Sequence, residues 1–265
     1  MPGPEIKEDV KRHYAAIATK PRINASSCSC GCGPTCGPDD YQVADDYSKL
    51  PGYVPDADLG LGCGIPVDIA GIRTGDTILD LGSGAGNDVF VARHLVGKEG
   101  RVIGVDMTEA MIRKAEANKH KLGYVNVEFR LGEIEDLPVG GSSVDVVLSN
   151  CVLNLVPDKV RAFAEIFRVL KPGGHFSISD IVLVGALPQA IAADVEMYAG
   201  CVSGAIQKEE YLSIIRKAGF TEVEIKRQRS APLPDEILAS YAASDQGDDF
   251  SIWSITVVGT KPVNA

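Results

Sequence analysis

No apolar run in this sequence approaches the roughly 18 residues that a membrane-spanning helix needs, so a helical membrane protein is excluded. The first 20 residues mix charge and polarity and lack the hydrophobic core of a signal peptide. The expected compartment is therefore the cytoplasm, with no membrane partner. Basic runs are also missing. None is longer than Lys226-Arg227, and 26 bases face 36 acids for a net charge of −10. Nucleic-acid binding leans on Lys and Arg at phosphates, so no nucleic-acid partner is expected. Histidine is scarce. His13, His94, His120 and His175 fall on predicted helices or a strand, and all four are assigned structural or surface roles. No internal repeat is present, and no interface stripe argues against a monomer.

What is there is an ordinary globular composition, 45% apolar and 23% charged over 265 residues. A chain of this length buries a sizeable core without disulfide staples. Its seven cysteines are odd in number and not spaced like a secreted framework. In the cytoplasm they are reduced thiols, available for metals or redox chemistry.

Residues 1–20 form a predicted helix, with Ile6, Val10 and Tyr14 at helical spacing. Residues 26–37 contain only Ser, Cys, Gly, Pro and Thr. Such a segment cannot bury enough apolar surface to offset its ordering entropy unless something binds it. Residues 41–66, punctuated by Pro and Gly, are predicted to lie over the domain as a lid. From Asp76 onward, strands at 77–81, 101–106, 125–130, 144–149 and 175–182 alternate with helices at 87–96, 108–122 and 159–170. Thr108 is placed to cap the second of these helices, Gly123 to end it, and Pro172-Gly173-Gly174 to close the third. A helix over 207–218 and two late strands, 221–226 and 252–259, complete the chain. Apolar, non-alternating strands that alternate with helices imply a parallel sheet covered on both faces. The expected fold is α/β: a doubly wound, seven-stranded, mostly parallel Rossmann-like sheet with an antiparallel edge. Three parts are expected: an N-terminal helix, Cys-rich loop and lid over 1–66, the cofactor-binding core over 67–185, and an insertion completing the sheet over 186–265.

Parallel α/β sheets bind ligands at the carboxyl ends of their strands. The first strand ends in Asp80-Leu81-Gly82-Ser83-Gly84-Ala85-Gly86, where glycines allow a sharp turn and close ligand approach. The second ends in Asp106, 20 positions after Gly86, where an acid can accept both ribose hydroxyls. The spacing is G-x-G-x-G, not the dinucleotide G-x-G-x-x-G. It resembles the first motif of the class I S-adenosylmethionine methyltransferases. Asp106-Met107, Gly132-Glu133-Ile134-Glu135-Asp136-Leu137-Pro138, Val144 to Asn150, and Leu170 to Gly174 match that class's later motifs. The resemblance covers about residues 70–185. It implies S-adenosylmethionine as cofactor, with Asp80, Gly82, Ser83, Gly84, Gly86 and Asn150 around it. Asp106 and Met107 would lie at the ribose, and Glu133 and Ile134 at the adenine.

Cys151 follows the fourth strand at the ligand end of the sheet and should face the cofactor's methyl. A single buried Cys is more often a small core hydrophobe than a ligand. Three contexts together change that reading: Leu61-Gly62-Cys63-Gly64-Ile65-Pro66, Asn150-Cys151-Val152-Leu153-Asn154-Leu155, and Gly200-Cys201-Val202. These resemble segments of the arsenite methyltransferases, a subgroup of the same class, over about residues 46–205. The chain lacks the long C-terminal extension of the animal members, which implies a compact microbial form.

The resemblance implies that Cys151 and Cys201 bind trivalent arsenic, with Cys63 as the third thiolate on a mobile lid. Arsenic carries no proton to remove, so no general base is required. The resemblance also implies a thiol reductant, glutathione or thioredoxin, as co-substrate. Cys28, Cys30, Cys32 and Cys36 are then candidates for a redox relay, since thiol exchange needs accessible thiols, or for an auxiliary capture site for arsenic or another soft metal; a plain disordered tail is the alternative. Their spacing is poor for a structural zinc site, which prefers C-x2-C pairs. Two other readings remain: a methyltransferase of a small organic molecule, and a non-catalytic soft-metal binding or sensing protein. The first leaves the matched cysteines unexplained, and the second predicts a damaged glycine motif that is not seen.

Overall fold

The central strand sequences are apolar on both faces because both faces are covered. On β1 (Thr77–Leu81), Ile78 packs into one buried cluster, and Leu79 and Leu81 pack into another. β2 (Arg101–Asp106) and β4 (Val144–Asn150) divide in the same way, Val102, Val146 and Leu148 against Ile103, Val105 and Val147. The first cluster is completed by α3 (Asn87–Val96), α4 (Glu109–Leu122) and α2 (Pro66–Ile69). The second is completed by α5 (Lys159–Val169) and α6 (Lys208–Lys217). Phe163, Phe176 and Tyr211, all fully buried, meet edge to face or tilted at its centre. The computed structural model describes residues 4–19, 45–187, 204–233 and 250–264.

The sheet has seven strands in the order β3-β2-β1-β4-β5-β7-β6. β3 spans Val127–Leu131, β5 Leu170–Val184, β6 Thr221–Ser230 and β7 Ser251–Thr260. The first five run parallel, and β7 is antiparallel to both β5 and β6. The expected doubly wound sheet with an antiparallel edge is the fold observed. Strand order reverses between β1 and β4, and such a switch point opens a crevice at the strand ends. Leu81 pairs with Ser149, so the glycine turn after β1 and the cysteine after β4 lie side by side.

Three local expectations are corrected. The third strand begins at Val127; Val125 is 97% exposed and lies outside the sheet. Pro172-Gly173-Gly174 does not stand between helix and strand as a separate turn. Leu170 already pairs with Val144 and His175 with Val146, so the three residues form a bulge within β5, with Gly173 at φ +78. Thr108 sits at the N-cap of α4, but its side chain makes no capping bond. The Asp106 carboxylate accepts from the Thr108 N–H instead, at 2.8 Å.

The N-terminal helix α1 (Pro4–Thr19) packs against α4, and the Lys114 ammonium donates to the Ala18 carbonyl near its end. The described part of the predicted lid, from residue 45, does lie over the domain. Leu50, Tyr53 and Val54 pack on the α3/α4 cluster, and Lys121 pairs with Asp56.

Candidate active site

A cleft of about 640 Å³ opens over the carboxyl ends of β1, β2 and β4. Its floor is the glycine turn. Gly82 stands at φ +64, and a Cβ there would lie 2.5 Å from a Val152 methyl. Glycine at 82 thus lets the loop that carries Cys151 close against the cofactor turn. Gly84, at φ +52, has nothing within 4 Å of its would-be Cβ, so its missing side chain leaves room for a ligand. Gly86 does not line the cleft. Its Cβ would strike the Phe90 ring at 2.7 Å and the Phe129 ring at 3.0 Å, so its role is to let α3 pack on β3.

Around this floor the cleft is acidic. Asp80 is 3% exposed, and burial, then Asp88 and Asp106, push its carboxyl well above the usual range. Burial also raises Asp106, against the pull of N–H bonds from Thr108 and from Gly84 at 3.0 Å. Ser83 Oγ and Asn87 Oδ1 are buried without a hydrogen-bond partner among the described residues, and both residues line the cleft. Carboxylates at Asp80 and Asp106, an orphaned hydroxyl and an open glycine suit a cationic amino acid joined to a nucleoside. S-adenosylmethionine is such a molecule, and the residues present fit it. Met107 and Ile134 supply apolar walls.

Glu133 also lines the cleft, but it is already engaged. Its carboxylate accepts from Lys7 at 2.8 Å, and Lys7 also reaches Glu135 at 2.6 Å. The Lys7 bond holds Glu133 below the ordinary carboxylate range. Burial pulls Lys7 down, but its bonds to Glu133 and Glu135 outweigh that and raise it. Lys7, Val10, Tyr14 and Ile17, at three- and four-residue spacing, present one face of α1 to the cleft as an outer wall. His13 is exposed, the surface placement expected of it, at the rim of the cleft. His175 meets the Ala70 carbonyl at 2.6 Å in the structural role expected of it.

The other end of the cleft holds two buried cysteines. Cys63 is 1% and Cys151 8% exposed, and both belong to an apolar cluster with Val10, Leu155 and Ile181. Cys151 adopts φ +60, a left-handed conformation that costs a non-glycine residue on the order of 1 kcal/mol. Its N–H donates to the Ser179 carbonyl at 2.7 Å. This turns the chain out of β4 and leaves Cys151 lining the cleft.

Cys63 is gripped through both its N–H and its carbonyl. Its N–H donates to Asn150 Oδ1 at 3.0 Å, and its carbonyl accepts from Arg229 at 3.1 Å and from the Ser254 hydroxyl. The flanking glycines make this approach possible. A Cβ on Gly62 would lie 2.7 Å from the Asn150 amide nitrogen, and one on Gly64 would overlap Ser179. The lid expected to be mobile is therefore fastened to β4, β6 and β7 at Cys63. Behind the thiols lies a buried polar pair. Tyr211 donates to Asp180 at 3.0 Å, and burial lifts Asp180 to about 7, with Lys159 pulling the other way.

Asn150, expected at the cofactor, lines the cleft. Its amide nitrogen donates to the Gly64 carbonyl at 2.8 Å and to the Tyr47 hydroxyl at 2.9 Å, and its oxygen serves Cys63. Sequence reasoning also missed Tyr47, Asp88 and the inner face of α1. The 7, 10, 14, 17 spacing of α1 was a usable signal, but Tyr47 and Asp88 stand in no motif. Cys201 and the cluster Cys28, Cys30, Cys32 and Cys36 lie outside the described residues.

The sheet order, the switch-point cleft and the acidic glycine turn define a Rossmann-like S-adenosylmethionine-dependent methyltransferase. The methyltransferase domain family matches residues 72–219. The chain is 41% identical to the arsenite methyltransferase of Halobacterium salinarum over 97% of its own length and 67% of that protein's. It is 35% identical to the human arsenite methyltransferase over 82% of this chain and 58% of that one. The crystal structure of an arsenic(III) S-adenosylmethionine methyltransferase from Chlamydomonas reinhardtii matches with a TM-score of 0.67 and 34% identity, covering 87% of this chain and 75% of that one. The chain belongs to the arsenite methyltransferase family. It spans from just over half to two thirds of the length of these curated relatives.

Proposed function

We propose that this protein transfers methyl groups from S-adenosylmethionine to trivalent arsenic held by Cys63, Cys151 and Cys201. The observation that carries the reading is the pairing of Cys63 and Cys151 in the cleft that ends at Gly84 and Asp106. Trivalent arsenic is soft and thiophilic, and thiolates are soft ligands. Each cysteine thiol that binds arsenous acid displaces one hydroxide and gives up its proton, releasing water. Three sulfurs hold arsenic in a pyramid whose lone pair stays available.

When bound, S-adenosylmethionine supplies an electrophilic methyl group. Asp106 would accept ribose hydroxyls with Met107 beside it, Asp80 would face the cationic amino-acid portion, and Ile134 would flank the adenine with Glu133 at its edge. Val10, Leu155 and Ile181 exclude water around the thiols. The protein's contribution is alignment of two bound reactants, which can be worth several kcal/mol. The reading includes a thiol reductant, glutathione or thioredoxin, with Cys28, Cys30, Cys32 or Cys36 relaying disulfides. It also includes a cytoplasmic, monomeric enzyme. Among the described residues no helix is long and apolar enough to cross a membrane.

The test supplies arsenite, glutathione and methyl-labelled S-adenosylmethionine. Labelled methylarsenicals are expected, and their absence would sink the proposal.

A further inference from the structure

Tyr47 is 2% exposed and lies 16 residues before Cys63 in the chain. Its hydroxyl lies within hydrogen-bond distance of both oxygens of the Asp88 carboxylate, at 2.9 and 3.0 Å, and 3.2 Å from the Gly64 carbonyl. The Asn150 amide nitrogen donates to that same hydroxyl at 2.9 Å and stands 3.4 Å from Asp88. Asp88 sits in the first turn of α3, directly after the glycine turn. Its carboxyl is buried and raised to about 6, with the Tyr47 and Asn150 bonds opposing the rise.

These bonds leave the Asn150 amide one orientation. With its nitrogen on Tyr47 and Gly64, its oxygen must face the Cys63 N–H, where it accepts at 3.0 Å. A flipped amide would set an N–H against the Cys63 N–H and an oxygen against the Gly64 carbonyl. Tyr47, its hydroxyl engaged with Asp88, adds a further bond to the amide orientation that grips Cys63. Ser254, on β7, holds the carbonyl of the same residue. Cys151 follows β4 directly, with its N–H on the Ser179 carbonyl.

We infer that Tyr47 is a positioning residue for the Cys63 thiol and so determines which arsenicals the site retains. The inference rests on Cys63 being the third arsenic ligand. Arsenite has three exchangeable valences and uses a third sulfur. An arsenical already carrying one carbon has two, and two thiols satisfy it. Tyr47 therefore matters for arsenite and not for a monosubstituted arsenical.

The experiment measures arsenite and phenylarsine oxide affinities of the full chain through the fluorescence of its single tryptophan, Trp253, which neighbours Ser254. S-adenosylhomocysteine affinity and melting temperature are measured in parallel. Tyr47→Phe is expected to weaken arsenite about fivefold to tenfold, the worth of one buried hydrogen bond. Phenylarsine oxide and S-adenosylhomocysteine affinities should stay within about twofold, since the first can be held by two sulfurs without Cys63 and the second by none. Ser254→Ala should repeat the pattern. In a Cys63→Ser background, Tyr47→Phe should change arsenite affinity no further, because the residue acts through Cys63. Unchanged arsenite affinity in Tyr47→Phe, while Cys63→Ser weakens it, overturns the inference. A parallel loss of all three ligands and of melting temperature overturns it too, because it shows a merely structural role. If Cys63→Ser itself leaves arsenite affinity unchanged, the three-sulfur reading fails, and the inference fails with it.

Discussion

The two ends of the cleft are built in opposite ways. The cofactor end comes from one short stretch. Asp80 to Gly86 turns out of β1, and Asp106 at the end of the neighbouring strand ties back to Gly84 by a single N–H bond. Its geometry is local backbone conformation, which glycines at positive φ set directly. The thiol end comes from residues far apart in sequence. Cys63 is held by Asn150, Arg229 and Ser254, from 87 to 191 positions away. Its geometry exists only once β4, β6 and β7 are in register. The two ends touch where Val152 fills the space that a side chain on Gly82 would need. Damage at the cofactor end should stay local and chiefly alter cofactor binding. Damage at the thiol end should alter arsenic chemistry and leave the cofactor bound.

The sharpest break in that comparison is Cys151→Ser. Methylation of arsenite should fall at least about 100-fold, since a hydroxyl is a poor soft-metal ligand. S-adenosylhomocysteine affinity by calorimetry should hold. Loss of both together would mean that the two ends are not separable.

Next come the two glycines of the turn, which should part company. Gly86→Ala sets a Cβ against Phe90 and Phe129 at φ +98, and should cost about 2–3 kcal/mol in chemical denaturation. Gly84→Ala meets no protein atom, so it should cost only about 1 kcal/mol for its left-handed backbone. It should nonetheless weaken S-adenosylhomocysteine by about tenfold, because the new methyl enters the cofactor's space. Equal stability losses would show that Gly84 is a turn residue and no more.

The buried carboxyl behind the thiols gives a pH signature. Asp180 titrates near 3.8 when unfolded and is raised by burial to about 7 when folded. Between those values the folded state holds a proton that the unfolded state has released. Stability therefore falls as pH rises from about 4 to 7, at most about tenfold in the folding equilibrium per pH unit, and levels off above. Asp88, raised to about 6, adds to the fall over the lower part of the range. Asp180→Asn should flatten the profile, as read by urea titrations across that range. An unchanged slope would assign the dependence elsewhere.

The smallest effect belongs to the outer wall. Lys7→Ala removes bonds to Glu133 and Glu135 from a part-exposed ammonium. Solvent screening limits the stability cost to about 0–1 kcal/mol. A twofold to fivefold weaker S-adenosylhomocysteine affinity is expected, since α1 closes that end of the cleft, with little change for phenylarsine oxide.

The reach of sequence reasoning follows the same division. The strands Thr77–Leu81 and Arg101–Asp106, and the helix that begins at Asn87, were legible residue for residue. An apolar run between glycines has few ways to fold. The bulge at Pro172 to Gly174 was not legible, because proline and glycine signal both a turn and a bulge, and only the pairing of Leu170 with Val144 distinguishes them. Gly86 belonged to the right motif, but its reason lay in two aromatic rings, Phe90 and Phe129. Asn150 stood at the right end of the right strand, and its amide was spent on the lid.

By itself the sequence determined the sheet, the glycine turn, the acid after β2 and the presence of soft ligands, because each is a property of a few neighbouring residues. Tertiary structure alone decided that Tyr47 and Asp88 meet Asn150, that Cys63 is clamped from three strands, and that α1 walls the cleft. Those outcomes depend on side chains brought together across the fold, and no spacing along a chain encodes a hydrogen bond between residues 191 apart.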